Sequence, residues 1–286
     1  MPHPIRLIAR LDIKGPNLVK GIHLEGLRVL GRPEEFAEYY YKQGIDELFY
    51  MDVVASLYER NSLSHMIADL AKKIFIPLTV GGGIRSLEDI HTALRSGADK
   101  VCINTAAIKN PDLIKQAVKK FGSSTIVVAI EAIRQPEGHH LAYIDNGREF
   151  TGVEVISWAR TLSMLGVGEL IITSVDHEGT GLGFDINLLK SITDVTEVPI
   201  IAHGGAGKAN DLIDLFTQST VSAAAIASIL HYHYLTEART KLASPEESKE
   251  GNYTFLRGSA SNSKINPCDP ATIKTKLIDA GVFCRV

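Results

Sequence analysis

Ile76-Pro77-Leu78-Thr79-Val80-Gly81-Gly82-Gly83 is a β-branched run that ends in glycines, and Val198-Pro199-Ile200-Ile201-Ala202-His203-Gly204-Gly205 repeats its form 122 residues later. Short apolar runs bounded by turn signals read as buried strands. Working outward, six further runs match: Ile5–Leu11, Glu47–Asp52, Lys100–Ile103, Thr125–Glu131, Glu169–Ser174 and Ser222–Ala227. Segments of helical period, such as Pro33–Gln43 and Ser86–Ser96, lie between them. Strands alternating with amphipathic helices give an α/β fold with a parallel sheet, and eight strands in about 230 residues predict a closed (β/α)8 TIM barrel.

The repeat extends beyond the opening pair. Gly44-Ile45-Asp46-Glu47-Leu48 returns as Gly166-Val167-Gly168-Glu169-Leu170, also offset by 122. Asp12, at the end of the first strand, falls opposite Glu131 at the end of the fifth, offset by 119; Asn104-Thr105 falls opposite Ala227-Ser228, offset by 123. The chain reads as two half-barrels of four βα units, which predicts two similar binding sites facing each other across the barrel mouth.

Two segments stand outside the repeat within an expected single domain, 1–286. Ile133–Gly152 reads as a hairpin insertion after the fifth strand, since Asp145-Asn146-Gly147 is a strong turn signal. Leu235–Asp269 is polar, with Ser244-Pro245-Glu246-Glu247 and Ser259-Ala260-Ser261-Asn262-Ser263, and reads as a largely irregular insertion before a last helix, Pro270–Ala280.

The 286 residues are 45% apolar and 22% charged, which excludes global disorder. Thirty Lys+Arg against thirty-three Asp+Glu give a net charge of −3. That balance supplies no global positive field for nucleic acid or an anionic membrane, so neither is an expected partner. Cys102, Cys268 and Cys284 lack the spacing of a disulfide framework or a metal site. No signal core and no long apolar run is present, so a soluble protein of the reducing cytoplasm is expected. No metal or other cofactor is expected, and Cys102 and Trp158 read as packing residues.

In a barrel of this type the chemistry lies at the strand ends. Gly81-Gly82-Gly83 and Gly204-Gly205-Ala206-Gly207 can bring backbone amides against a phosphate with no Cβ in the way. Asn104-Thr105 and Ala227-Ser228, at helix starts after the next strands, complete two anion cradles. A ligand with a phosphate at each end fits them. Between the cradles, Asp12 and Glu131 suit general acid–base chemistry, because unequal environments leave one carboxyl ionised and the other protonated. Either could instead cap a helix or, for Asp12, pair with Lys14 or Lys20; Asp52 could support the site or be structural. At the strand starts, Arg6, Glu47, Lys100 and Glu169 bring two bases and two acids to the barrel bottom, as solvated charges or as a gate to its interior.

With these residues assembled, the chain resembles the cyclase-subunit family of imidazole glycerol phosphate synthase, from about Arg6 to His231 and again in the last helix. The likeness is carried by Leu11-Asp12-Ile13-Lys14, Val19-Lys20-Gly21, Gly44–Leu48, Thr79–Ile84, Gly97-Ala98-Asp99-Lys100-Val101, Ile103–Ala107, Thr173-Ser174 with Asp176, Gly179-Thr180 and Gly204–Lys208. The resemblance implies an ammonia-using lyase and cyclase that works in a heterodimer with a class I glutaminase. It implies cleavage of a diphosphorylated phosphoribulosyl-formimino aminoimidazole carboxamide ribonucleotide. Asp12 would be an acid–base residue, and Lys20 would lie on a loop over the substrate. Gly83, Asn104, Thr105, Thr173, Glu178, Gly179, Gly205, Ala227 and Ser228 would bind substrate or its phosphates. Arg6, Glu47, Lys100 and Glu169 would gate ammonia, and Asp99 would lie at the glutaminase interface.

The sequence departs from the family's pattern at four residues and in the Leu235–Asp269 insertion beside the second phosphate site. Glu131 stands for an aspartate, which moves the carboxyl by about 1–1.5 Å, and misplacement of this order can cost about a hundredfold in rate. Arg10 stands for a small residue, His203 for a serine, and Glu178 for another acidic side chain. These departures leave open a relative that aminates a different substrate, such as a surface sugar, and a non-catalytic subunit that activates the glutaminase.

Overall fold

The β-branched runs pair edge to edge until the sheet meets itself. In the computed structural model, which describes residues 4–55, 64–241 and 264–285, twelve strands form among the described residues. They are β1 (Arg6–Lys14), β2 (Asn17–Ile22), β3 (Glu25–Gly31), β4 (Glu47–Asp52), β5 (Leu78–Gly81), β6 (Lys100–Ile103), β7 (Ile126–Arg134), β8 (His140–Ile144), β9 (Glu149–Glu154), β10 (Glu169–Ser174), β11 (Ile200–His203) and β12 (Ala223–Ile226). Eight of these, β1, β4, β5, β6, β7, β10, β11 and β12, pair in parallel, and the β7–β10 and β12–β1 ladders close them into a barrel. The (β/α)8 expectation from the repeat is met.

Alternation along each strand divides the core in two. Odd positions of β1, Leu7, Ala9, Leu11 and Ile13, face the helices. Even positions point inward, where Ile8 meets Phe49, Cys102, Val127, Ala129, Ile171 and Ile201 in a filled interior. The barrel is a packed core with polar residues at its two ends.

The crossover helices are α1 (Pro33–Lys42), α2 (Ser64–Leu70), α3 (Leu87–Arg95), α4 (Thr105–Lys109), α5 (Pro111–Phe121), α6 (Val155–Met164), α7 (Ile186–Thr193), α8 (Ala209–Gln218) and α9 (Ser228–Lys241), with α10 (Pro270–Asp279) last. Their sequences specify their ends. Ser86 caps α3 by accepting from the Asp89 amide at 3.1 Å, and Asp269 caps α10 by accepting from the Thr272 amide at 2.8 Å. No helix among the described residues is long and apolar enough to cross a membrane.

Three local features differ from the sequence reading. β2 and β3 form a hairpin after β1 that the apolar pattern does not announce. The expected hairpin over 133–152 is instead a three-stranded antiparallel extension: β7 runs on to Arg134 and pairs with β8, which pairs with β9. Its tip is the expected turn, with Asp145, Asn146 and Gly147 all at positive φ. Finally, α9 continues to Lys241, so the polar insertion expected from Leu235 begins as helix rather than irregular chain. Residues 242–263 of that insertion lie outside the described residues.

Candidate functional site at the barrel mouth

The ends of β4, β5, β6 and β7 surround a cavity of about 360 Å³ lined by Asp52, Gly82, Gly83, Asn104, Thr105 and Glu131, among others. Gly82 has φ 96°, and a Cβ there would stand 2.2 Å from the Asp52 carbonyl oxygen. Only glycine fits that approach. Asn104 Oδ1 is buried with no hydrogen-bond partner among the described residues. The β8–β9 tip closes the cavity's outer side: Thr105 Oγ1 donates to Asp145 Oδ1 at 3.2 Å, and Lys109 Nζ lies 3.4 Å from Glu149 Oε2. The first cradle and one of the two expected carboxyls therefore share one space.

The second cradle has the same backbone logic. Gly204 and Gly205 have φ 97° and 106°, and a Cβ on Gly205 would come within 1.9 Å of the Gly183 carbonyl oxygen. Ala227 and Ser228, at the start of α9, are buried. The β2–β3 hairpin reaches over this side. Lys20 Nζ pairs with Glu178 Oε1, the Leu24 amide donates to Glu178 Oε2 at 2.9 Å, and Gly179 packs against the Gly21 carbonyl. The insertion's described end also touches this cradle, with the Asn266 amide donating to the Gly207 carbonyl at 2.7 Å.

Asp12 and Glu131 lie near the C-terminal ends of β1 and β7, separate strands of the closed barrel, and both are buried. Asp12 pairs with neither Lys14 nor Lys20; its cation is Arg10, whose Nε donates to Oδ1 at 2.8 Å. Lys20 is taken by Glu178 instead. Glu131 Oε2 accepts from the Gly147 amide at 2.7 Å. Burial pushes the Glu131 carboxyl up to about 7, against the Gly147 amide, Arg10 and Asn104, all of which favour its ionised form. Asp52 Oδ1 accepts from the Val54 amide at 3.1 Å, which ties it to its own loop.

At the strand starts the four expected charges meet. Arg6 reaches Glu47 at 2.7 Å and Glu169 at 2.5 Å, while Lys100 reaches Glu47 at 3.3 Å and Glu169 at 2.7 Å. Each acid touches both bases, so the ring closes. Burial would lower the Arg6 pKa, but Glu169 and Glu47 outweigh it and raise it. Asp99 is exposed beside the ring and also braces β5, accepting from the Leu78 amide at 2.8 Å. Next to it lies a groove formed by Ala71, Ile74, Pro77 and Gly97, with Phe75 82% exposed at its edge.

Thr173 is placed inside the barrel rather than at a cradle. Its Oγ1 lies 3.0 Å from His203 Nδ1 and 3.4 Å from Arg10 Nη1. Sequence reasoning singled out Arg10 and His203 separately and did not join them. It also missed Lys109 and Asn146, both on the wall of the first cavity.

The chain is similar to proteins of a known family. The histidine biosynthesis protein family matches residues 6–236. Imidazole glycerol phosphate synthase subunit HisF of Legionella pneumophila is 57% identical over 204 residues, covering 71% of this chain and 96% of that protein. The subunit of the same name from Petrotoga mobilis is 44% identical over 83% of this chain and 94% of its own length. That of Streptococcus mutans is 40% identical over 86% of this chain and 98% of its own length. A family match over most of the chain, with relatives at 40% to 57% identity, shows that this chain belongs to the histidine biosynthesis protein family, among its imidazole glycerol phosphate synthase HisF subunits.

Proposed function

We propose that this chain is the ammonia-using lyase and cyclase of a two-subunit synthase, acting on phosphoribulosyl-formimino aminoimidazole carboxamide ribonucleotide. The products are imidazole glycerol phosphate and aminoimidazole carboxamide ribotide. The observation that carries this reading is the placing of Glu131 in one cavity with the first cradle, while Asp12 lies near the end of β1, next to the β12 strand that leads into Ala227 and Ser228 of the second.

Gly83, Asn104 and Thr105 bind one terminal phosphate, and Gly179, Gly205, Ala227 and Ser228 the other. Lys20 and Glu178 hold the hairpin over the second. Arg10 Nε donates to Asp12 Oδ1, and in this reading Asp12 acts as the base. Burial raises the Glu131 pKa to about 7, which favours its protonated form well above the usual carboxylate range, and Glu131 serves as the acid. Ammonia comes from a class I glutaminase seated on the face that carries Asp99 and Phe75, and enters past Arg6, Glu47, Lys100 and Glu169.

Purified chain given the ribonucleotide and an ammonium salt should release both products without the glutaminase. A folded sample that binds the ribonucleotide yet forms neither product overturns the assignment. If such a sample still activated a glutaminase, the chemistry would belong to another acceptor.

A further inference from the structure

Above the apolar layer of Ile8, Phe49 and Ile171, the barrel interior holds a full positive charge. Arg10 is 2% exposed, and its guanidinium carbon sits 6.0 Å over the Phe49 ring. A charge buried this deeply is tolerated only when its hydrogens are spoken for. Arg10 Nε donates to Asp12 Oδ1 at 2.8 Å, and Nη1 lies 3.2 Å from His203 Nδ1 and 3.4 Å from Thr173 Oγ1.

The partners come from three strands. Arg10 and Asp12 are two residues apart on β1, so both point inward. Thr173 ends its reach from β10, and His203 from β11. Burial, with Arg10 and Lys20 nearby, holds the His203 imidazole well below its usual range, so the ring is neutral. A guanidinium has no acceptor, which makes Nδ1 the acceptor and leaves the ring proton on Nε2. The Thr173 hydroxyl, 3.0 Å from the same Nδ1, completes the triangle.

A lysine ammonium would supply the charge as a single freely rotating point. The planar guanidinium fork fixes a direction as well, because anchoring one arm aims the other. Here His203 and Thr173 anchor one arm, and the other engages one oxygen of Asp12.

We propose that Arg10, anchored by His203 and Thr173, is a positioning residue that holds the Asp12 carboxylate in its working orientation. It touches no substrate on this account; it acts through Asp12. The inference rests on the proposed function for the work that Asp12 does, and on the geometry alone for the orientation.

The test has two arms. The first needs no substrate: nitrogen NMR of the arginine side chains in the whole chain. Arg10 should give a distinct, slowly exchanging Nε–H signal that moves in Asp12→Asn and loses its protection in His203→Leu. An Arg10 signal averaged with the surface arginines, or untouched by Asp12→Asn, overturns the proposal whatever the substrate proves to be.

The second arm is steady-state turnover of the ribonucleotide with ammonium. Arg10→Met should lower kcat about a hundredfold with KM within about threefold, the signature of a misplaced catalytic group. His203→Leu keeps the charge and frees its aim, and should lower kcat about tenfold; Arg10→Lys should recover less than about a tenth of the wild-type rate. Unchanged kcat in folded His203→Leu and Arg10→Lys overturns the proposal, and these two variants decide it if Arg10→Met fails to fold. A wild type that orders Arg10 but does not turn over the ribonucleotide refutes the proposed function and leaves the Arg10–Asp12 orientation standing.

Discussion

The Gly147 amide, at the tip of the β8–β9 hairpin, donates to Glu131 Oε2 at 2.7 Å. A loop turn sixteen residues along the chain thus sets where the carboxyl at the end of β7 stands. Glu131→Gln keeps an oxygen for Gly147 and nearly the same volume, but removes the transferable proton. Its kcat should fall by about 10²–10⁴ with KM nearly unchanged. Steady-state kinetics with ammonium checks this, and a rate within threefold of wild type would remove Glu131 from the chemistry.

The same carboxyl sets a pH limit. Its pKa is raised from 4.5 to about 7, so the acid form persists to neutral pH, and kcat driven by glutamine should fall as pH rises past about 7. The stability linkage has the same sign. Glu131's contribution is fully present below about pH 4.5 and is lost as pH rises through about 7, because the unfolded chain releases this proton first. Urea unfolding of wild type and Glu131→Gln across that window should show the wild type losing ground to the variant as pH increases.

Lys100 and Arg6 each contact both glutamates of the ring. Lys100→Met leaves Arg6 alone against Glu47 and Glu169. Turnover driven by glutamine should fall about fivefold or more, while turnover driven by ammonium should change less than about twofold. The ratio of the two rates in the assembled complex is the measurement. Equal losses in both would show that the ring supports folding only.

Two buried histidines oppose protonation. Burial, with Lys20 nearby, lowers His231 to about 3, and His203 is also lowered well below 6.5. The unfolded chain takes up these protons near 6.5 and the native barrel does not, so the stability they support is present above that pH and is lost as pH falls. Each histidine should steepen the loss by up to about 1.4 kcal/mol per pH unit. Urea midpoints between pH 7 and 5 test this. His231 Nδ1 lies 2.7 Å from the Tyr40 hydroxyl, so Tyr40→Phe should cost a further ~1–3 kcal/mol at neutral pH.

Gly82→Ala tests the first cradle. The new Cβ would meet the Asp52 carbonyl at 2.2 Å on a backbone with φ 96°, so the loop must move. Fluorescence or calorimetric titration should show phosphate-ester binding weakened by at least about tenfold, while the barrel's far-UV signal is kept. Unaltered binding would place the phosphate elsewhere.

Most of this architecture was legible because barrel strands and glycine turns are encoded locally. The repeated offsets exposed the half-barrels, their matching glycine turns, and the inward positions of Asp12 and Glu131 near the strand ends. The β2–β3 hairpin escaped because its turn residues, His23 and Leu24, adopt φ 53° and 63° without the usual glycine or asparagine. They are held there by Glu178, whose carbonyl and carboxylate accept their two amides from more than 150 residues away. The partner of Asp12 was equally hidden. Arg10, Lys14 and Lys20 are all close in sequence, but Lys14 is exposed at the end of β1 and Lys20 is drawn to Glu178, leaving Arg10 on the inward face. The helical start of the 235–269 segment was obscured because its polar and apolar residues do not collect on separate faces.

The charged ring carries a record of how the two halves have diverged. Glu47 and Glu169 occupy the same place in the repeat, 122 residues apart, so duplication accounts for both acids. The bases have no such twins: Thr125 stands at the repeat position of Arg6, and Ala223 at that of Lys100. A barrel assembled from two copies of the first half would set four bases against two acids, an excess of two positive charges at its entrance. One assembled from two copies of the second would leave two carboxylates facing each other with no counterion, so the barrel's entrance makes its halves non-exchangeable.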